Sequence, residues 1–294
     1  MFETVLTTAL IGLASGAVYA LVAMGMSLGF RSSGLINVAQ GDLAVLCAYL
    51  GAHVLIDRGV PYGAAIPVVA AIGALVMLIL DRSIFRRLFG ANPVYLIIIT
   101  VGISAVIEAV VTHVWGGNPL VFPAALGSGV LRIGGVRLFE RDLIALVIAV
   151  ALAVALGAVL KFTRLGRDIR AGANDPVAAV LSGVNVGRTR TITLMLSGAL
   201  SGLGGMLLAP LTFLYPTTGL DLTLSAFVGA VVGGFGSMPG AVVGSLLFGF
   251  LNAVVGNYVP SVFSSVITYG VLVAVVVVRP GGLFGEEGLI VREV

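Results

Sequence analysis

The residues that could do chemistry are few and widely separated. Cys47 is the only cysteine, and His53 and His113 are the only histidines, so a disulfide, an iron–sulfur site or a histidine-based metal site is not expected. The only lysine, Lys161, follows a leucine, so the Gly-Lys-Ser/Thr sequence of a phosphate-binding P-loop is absent. We therefore expect no catalytic residues, no metal and no cofactor in this chain, and no ATP hydrolysis by the P-loop route.

Three polar side chains lie in an otherwise apolar segment, GLINVAQGD, which spans residues 34–42. Non-helical backbone at membrane depth persists only where it is buried in protein or lines water. In one interpretation Asn37, Gln40 and Asp42 face a polar transport pathway. In the other, Asp42 caps the next helix while Asn37 and Gln40 satisfy backbone groups.

Glu108 is the only acidic residue well inside one of the predicted helices. An intramembrane carboxylate is a functional candidate, for example in a proton relay. The alternative is that Glu108 lies near the outer end of its helix, where it reaches water or His113.

A short helix is predicted inside the long basic loop of residues 163–190. Asp175 suits the N-cap, Pro176 suits the first helical position, and Gly183 suits the C-terminal stop. The enclosed VAAVLS sequence, which includes Ala178 and Ala179, is apolar and would be marginal as an isolated helix. It suits docking into a groove on another protein. Five arginines could meet an acidic rim around that groove: Arg164, Arg167, Arg170, Arg188 and Arg190. The alternative is a basic loop that only sets topology.

The composition of the chain indicates what kind of secondary structure holds these residues in place. Of 294 residues, 59% are hydrophobic and 10% charged, and the mean hydropathy is +1.16. A soluble chain of this size needs far more polar surface, so a soluble enzyme is excluded. The 41 glycines indicate close helix crossings and broken helices. We predict one transmembrane domain over residues 1–294, with all-α polytopic architecture.

Nine apolar segments predict a bundle of about eight to ten membrane spans. They are Val5–Phe30, Leu43–Ile56, Gly63–Leu80, Pro93–Trp115, Leu143–Leu160, Thr191–Ala209, Leu222–Phe235, Gly240–Gly256 and Val262–Val278. Leu43–Ile56 and Leu222–Phe235 are short for a full crossing, and each lies beside a glycine-rich break. The second break, Gly233–Gly240, predicts a turn between closely packed helices.

A faint repeat accompanies these segments. Ala14-Ser15-Gly16 resembles Leu200-Ser201-Gly202, and Gly41-Asp42-Leu43 resembles Leu220-Asp221-Leu222. The two copies run through the membrane in opposite senses, as in the inverted repeats of many transporters.

Basic residues in the short loops predict the orientation. One side receives twelve of them: Arg31, Arg82, Arg86, Arg87, Lys161, Arg164, Arg167, Arg170, Arg188, Arg190, Arg279 and Arg292. The other side receives four: Arg58, Arg132, Arg137 and Arg141. The first side is therefore predicted to be cytoplasmic, with the N-terminus outside and the C-terminus inside. Since the arginines follow topology, the net charge of +3 does not indicate nucleic acid.

Three motifs carry a family resemblance. GLINVAQGD resembles the Gly-Leu-Ile-Asn-Phe-Ala-(His/Gln)-Gly-Asp signature of permease subunits of branched-chain amino acid ABC importers, with Val38 where Phe is common. GRDIRAGANDPVAAVLSGVN resembles that family's coupling segment. GGFGSMPGA and RPGGLFG resemble its C-terminal patterns. The matches extend from about Gly12 to Gly285.

The resemblance implies a bacterial inner-membrane permease that pairs with a second, homologous permease. It implies two cytoplasmic ATPase subunits, which bind the ATP, and an extracytoplasmic solute-binding protein. By motif, the coupling helix that contacts an ATPase comprises Asp175, Pro176, Ala178, Ala179 and Gly183, flanked by Arg167 and Arg170. Val177 stands where the family often has Glu, so a contact that depends on that acid is not expected here.

Two other classes of transport protein are alternatives. A secondary transporter or channel would work without an ATPase, although it usually carries buried charges or a polar pore lining. An ABC permease for urea, short amides or sugars would share the same architecture. Co-purification of an ATPase separates the first alternative from an importer subunit.

Overall fold

Eleven α-helices carry most of the chain in the computed structural model, which describes residues 2–88, 90, 92–120, 122, 129–133, 136–279 and 281–284. In chain order they are α1 (Phe2–Ser33), α2 (Gln40–Leu50), α3 (Tyr62–Ser83), α4 (Pro93–Trp115), α5 (Glu140–Phe162), α6 (Arg164–Asn174), α7 (Pro176–Leu181), α8 (Val186–Leu208), α9 (Thr218–Gly233), α10 (Met238–Tyr258) and α11 (Ser261–Val278). A π-helical turn, Gly51–Ile56, continues α2, and a 3-10 turn, Phe85–Leu88, follows α3. A small antiparallel hairpin joins β1 (Val130–Ile133) to β2 (Val136–Phe139).

The predicted all-α polytopic membrane fold is confirmed. Within the described residues, six helices are long and apolar enough to cross a bilayer, namely α1, α3, α4, α5, α8 and α10. The nine predicted apolar helices are all present, with shifted ends, and α2 and α9 are again short. Helix α8 is the most buried of the six long helices, so it forms the centre of the bundle.

Helices α3 and α8 cross at two glycines of α8. A Cβ placed on Gly202 would lie 2.8 Å from the carbonyl oxygen of Val69, and a Cβ on Gly198 would collide with the carbonyl of Gly73. The two backbones therefore touch directly, which is the packing that small residues permit in membranes.

Helices α1 and α10 cross in the same way. A Cβ on Gly16 would lie 2.7 Å from the carbonyl oxygen of Ser245, and a Cβ on Gly12 would lie 2.7 Å from that of Gly249. In both crossings two glycines four residues apart meet two carbonyls four residues apart. Helix α1 therefore corresponds to α8, since both supply the glycines, and α10 corresponds to α3, since both supply the carbonyls.

The two crossings give the faint sequence repeat a structural meaning. Gly16 and Gly202, which end the similar tripeptides, occupy equivalent places in the α1–α10 and α3–α8 crossings. Helices α1–α3 and α8–α10 are thus two copies of one motif, inserted in opposite senses, as expected for an inverted repeat.

Charged residues separate the two ends of the bundle. Helices α1, α3 and α5 end, and α8 and α10 begin, at the end that carries α6 and α7, which we call the α6–α7 end. Eleven of the twelve basic residues assigned to one side lie there, and the twelfth, Arg292, lies outside the described residues. Tyr62, Trp115, Tyr215 and Tyr258 mark the opposite end.

Candidate functional site

Helix α2 begins in the middle of the bundle and not at its surface. The side-chain amide of Gln40 donates hydrogen bonds to the carbonyl oxygen (3.0 Å) and hydroxyl (2.9 Å) of Ser197, which lies halfway along α8. The hydroxyl of Ser104, halfway along α4, donates to the Asp42 carboxylate over 2.5 Å. The segment before α2 therefore descends to mid-membrane depth.

Helix α9 begins at the same depth and meets α2 there. The amide of Gly41 donates to the Thr223 hydroxyl over 2.9 Å, and that hydroxyl donates to the carbonyl oxygen of Val38 over 2.9 Å. A Cβ on Gly219 would collide with the Asp42 carboxylate. We call this meeting of two helix N-termini the half-helix junction. Each N-terminus carries partial positive charge, so the carboxylate between them stabilises the contact.

The two helices leave the junction toward opposite ends of the bundle. Near the end of α2 the Tyr49 hydroxyl donates to the carbonyl oxygens of Leu214 and Asn118, both at 3.1 Å. Just after α9 the Phe235 ring lies 4.8 Å from the ring of Phe30, near the end of α1. Helices α2 and α9 are therefore half-helices of the inverted repeat.

The three polar residues predicted for this segment lie together in the junction. Asn37, Gln40 and Asp42 are all buried, and the Asn37 amide donates to the Gln40 side-chain oxygen over 3.0 Å. The Asn37 side-chain oxygen accepts from the amide of Ala39 over 3.1 Å. Asp42 lies in the first turn of α2. In this conformation the three side chains connect helices to one another.

Helix α7 begins and ends as the sequence predicted. The Asp175 carboxylate accepts hydrogen bonds from the amides of Val177 (2.9 Å) and Ala178 (3.0 Å). Pro176 is the first helical residue, and Gly183 has φ +83°, a conformation that favours glycine at a helix end.

The exposed surface of α7 differs from the predicted one. Ala178 is exposed, but Ala179 is only 3% exposed and faces the protein. The residues that face outward are Val177 (71% exposed), Val180 (59%) and Leu181 (84%). We call these three residues the α7 apolar face. Ala179 is therefore not part of the exposed surface of the predicted coupling helix, because a two-turn helix that packs against the protein must bury one side.

Helix α6 lies within the segment predicted as a loop and forms a base for α7. Arg170 donates to the carbonyl oxygen of Leu160 at the end of α5 over 2.7 Å. Ile169 is buried, and a Cβ on Gly166 would collide with the Leu160 carbonyl, so α6 lies tightly against α5. Arg167 is exposed on the other side. The Thr163 N-cap and the spacing of Leu165 and Ile169 were the available sequence signals.

Arg190 is not part of an exposed basic rim. It is 6% exposed and lies 3.5 Å from the carboxylate of Asp81, a buried residue in the last turn of α3. The Thr191 hydroxyl donates to the same carboxylate over 2.6 Å. Sequence reasoning missed Asp81, since it lay just beyond the predicted helix. This ion pair fastens the start of α8 to α3, and it corrects the expectation that Arg190 meets a partner.

A cavity of about 780 Å³ lies between α7, the end of α3 and the start of α8. Pro176 and Val180 of α7 form one wall. Four arginines line the cavity as well: Arg82, Arg86, Arg188 and Arg190. Arg190 is already paired with Asp81, so the available positive charge of the cavity comes from Arg82, Arg86 and Arg188.

Glu108 lies one turn after Ser104 on α4 and is half-buried. It therefore approaches the half-helix junction from the side of Asp42, although no hydrogen bond joins the two carboxylates in the described part of the chain. His113 is exposed and lies further along the same helix.

Comparison with known proteins identifies relatives over nearly the whole chain. A family model described as a branched-chain amino acid transport system permease component matches residues 8–276. The chain is 26% identical to the high-affinity branched-chain amino acid transport system permease protein LivH of Escherichia coli (strain K12), with 94% of each chain covered. It is 28% identical to BraD of Pseudomonas aeruginosa, a permease protein of the same description, with the same coverage.

A more distant group of relatives handles a different kind of cargo. The chain is 30% identical to the ribose import permease protein RbsC of Haemophilus influenzae, over 80% of this chain and 73% of that protein. No solved structure matches the chain significantly.

Proposed function

This chain belongs to the family of branched-chain amino acid transport system permeases, a family of transport proteins and not of enzymes, and we propose that it is the membrane subunit of an ATP-binding-cassette importer. The observation that carries the proposal is the α7 apolar face. A chain without a P-loop displays three apolar side chains on a short capped helix, outside its membrane bundle. Such a face suits a groove on an ATPase that supplies the energy.

The assembly that we propose contains two cytoplasmic ATPase subunits, a second homologous permease and an extracytoplasmic solute-binding protein. The α6–α7 end is cytoplasmic in this proposal, since most of the basic residues lie there. The N-terminus is then outside, and the membrane is the bacterial inner membrane. The ATP is bound by the partners, and this chain itself needs no cofactor.

A continuous set of contacts leads from α7 to the half-helix junction. Movement of α7 is transmitted to α8, because Ala179 is buried behind the helix and only Ser182–Asn185 separates α7 from α8. Halfway along α8, Ser197 accepts the hydrogen bonds of Gln40. Gln40 begins α2, whose Gly41 is bonded to α9. Displacement of α8 would therefore rearrange both half-helices.

We propose that Asn37, Gln40 and Asp42 border the transport pathway when this junction rearranges. Nucleotide binding then acts through its different affinity for two conformations of the assembly. The Gly198 and Gly202 crossing supports small sliding motions, because the backbones of α3 and α8 touch directly there.

Branched-chain amino acids are the substrate class that we favour, on the basis of the permeases LivH and BraD. A sugar is the second candidate, since the similarity to RbsC covers most of this chain.

Uptake in cells tests the proposal. Deletion of the gene should abolish uptake of radiolabelled leucine, isoleucine or valine, and the wild-type chain should restore it, whereas ribose uptake should be unaffected. Uptake should stop on ATP depletion and survive a protonophore that leaves ATP intact. Uptake that follows the proton gradient would instead establish a secondary transporter.

The variant Gln40→Leu tests the role of the half-helix junction. At equal amounts of protein in the membrane, it should lower the maximal rate of uptake, and an unchanged rate would show that the junction does not border the pathway.

A further inference from the structure

A second cavity, of about 390 Å³, also lies at the α6–α7 end and shares no lining residue with the arginine-lined one. Its walls come from the last turns of α1 and α5, from α6, and from the turn between α9 and α10. No part of the transport mechanism described above uses it.

Three cations line this cavity: Arg31, Lys161 and Arg170. None of them belongs to an ion pair within the part of the chain that the structure describes. No aspartate or glutamate is among the residues that form the walls. Ser237 caps α10 at the cavity, and the positive end of that 21-residue helix adds to the field. Among the described residues, the cavity thus presents positive charge without an acidic partner.

The remaining walls are apolar. Leu28, Leu160 and Ile169 form one side, and Phe235 and Met238 form another. A small inorganic anion gains nothing from contact with apolar walls, because it binds through charge and hydrogen bonds alone. Cationic groups above an apolar floor instead match an amphiphile with an anionic head.

The cavity also reaches the lipid-facing side of α5. Gly157 is part of its wall, and a Cβ placed on Gly157 would meet no atom within 4 Å. One turn earlier on the same face, Val154 is 66% exposed, as a residue in contact with lipid would be. A chain extending past Gly157 therefore leaves the cavity into the bilayer.

We propose that this cavity binds one anionic phospholipid, with the phosphate held by Arg31, Lys161 and Arg170 and an acyl chain lying along Gly157 and Val154. Basic pockets between helices at the membrane surface are suited to such headgroups. Arg170 and Ile169 belong to α6, so the bound lipid fastens the base of α7 to the bilayer. The proposal depends on membrane insertion and not on coupling to an ATPase.

Lipid retention measured by native mass spectrometry tests the proposal directly. The chain is released from nanodiscs that contain equal amounts of phosphatidylglycerol and phosphatidylcholine. We expect one phosphatidylglycerol to remain bound per chain. Arg31→Gln/Lys161→Gln should lower its retention on the order of tenfold or more, since each cation near the surface contributes to binding. Arg170 stays unchanged in this variant, because it also holds Leu160.

Two further variants serve as a volume test and a charge control. Gly157→Leu keeps every charge but fills the opening toward the bilayer, so it should also lower retention. Arg87→Gln/Arg164→Gln removes two exposed cations at the same end but outside the cavity, and it should retain the lipid like the wild type. Equal losses in the control and cavity variants would show surface attraction only and overturn the proposal.

A parallel measurement separates a lipid headgroup from free phosphate. In nanodiscs of phosphatidylcholine alone, millimolar inorganic phosphate should leave no adduct on the chain. When phosphatidylglycerol is present, the same phosphate should not displace it. A phosphate adduct that Arg31→Gln/Lys161→Gln removes, without retained phosphatidylglycerol, would contradict the lipid assignment. Full lipid retention in Arg31→Gln/Lys161→Gln would contradict it too.

Discussion

At Gly41 the two half-helices approach each other closely. A Cβ added there would collide with the carbonyl oxygen of Gly219 and lie 2.5 Å from the Thr223 hydroxyl. The same hydroxyl accepts the Gly41 amide and is itself fixed by Val38. Neither neighbour can move without breaking a hydrogen bond in the junction. Glycine is therefore required at this position for space.

Gly41→Ala should lower the free energy of unfolding by about 1–3 kcal/mol, the usual cost of overpacking a tight core. Gly102→Ala is the matched control, because Gly102 lies inside α4 with no atom within 4 Å of the added Cβ. That change should be neutral or should stabilise by up to about 1 kcal/mol through helix propensity. Thermal unfolding in detergent measures both. Equal melting temperatures for the two variants would show that the junction is not closely packed.

Asp175 and Asn37 show what local sequence can and cannot predict about the site. Capping is a local interaction, so the sequence located Asp175 and the helix that follows it correctly. The position of Asn37, by contrast, depends on a distant residue. Its side chain bonds to Gln40, and Gln40 is held in place by Ser197, which is far away in the sequence. Sequence alone left two interpretations open, because it does not say which distant helix reaches the segment.

Helix α7 is the element on which the proposed coupling depends. Its apolar face projects from a helix that is capped at Asp175, backed by α8 and carried on α6. A charge added to that face would be buried without a partner in any tight complex, at a cost of several kcal/mol.

Val177→Asp/Leu181→Asp should therefore reduce substrate uptake roughly 30-fold, as expected when central interface residues are disrupted. Both side chains are exposed, so the amount of protein in the membrane and its melting temperature should not change. Ser182→Asp, which adds an acid at an exposed position just beyond α7, is the control and should retain most uptake. Normal uptake in the double variant would exclude α7 as the coupling element.

The helices differ in how well hydrophobicity predicted them. The nine apolar helices were found because long apolar runs are a direct consequence of the bilayer. Helix α6 was missed, since its three arginines concealed the buried side that includes Gly166 and Ile169. The β1–β2 hairpin was missed as well, because four-residue strands leave only a weak pattern. In the sequence, the inverted repeat left a trace mainly at glycines such as Gly16 and Gly202, where two helix backbones touch.

At the scale of the whole molecule, an inverted repeat places two half-helix N-termini at mid-membrane depth, and the α7 apolar face lies exposed at one end. The α3–α8 crossing lies next to the junction, since Gly198 follows Ser197, which accepts the hydrogen bonds of Gln40. Helix α8 belongs to one crossing, follows α7 in the chain and contacts Gln40. One helix therefore links the α6–α7 end to the centre of the bundle.

Site-specific photo-crosslinking in intact cells tests this account most directly. A photoreactive amino acid is placed at Val177 on α7, or at Tyr258 at the opposite end as the control, and crosslinked chains are identified by mass spectrometry. We expect the Val177 probe to capture an ATPase subunit that contains a Gly-Lys-Ser/Thr P-loop, and the Tyr258 probe not to do so. If Val177 captures no ATPase, or if a membrane-impermeant reagent labels α7 from outside the cell, the central claim is wrong.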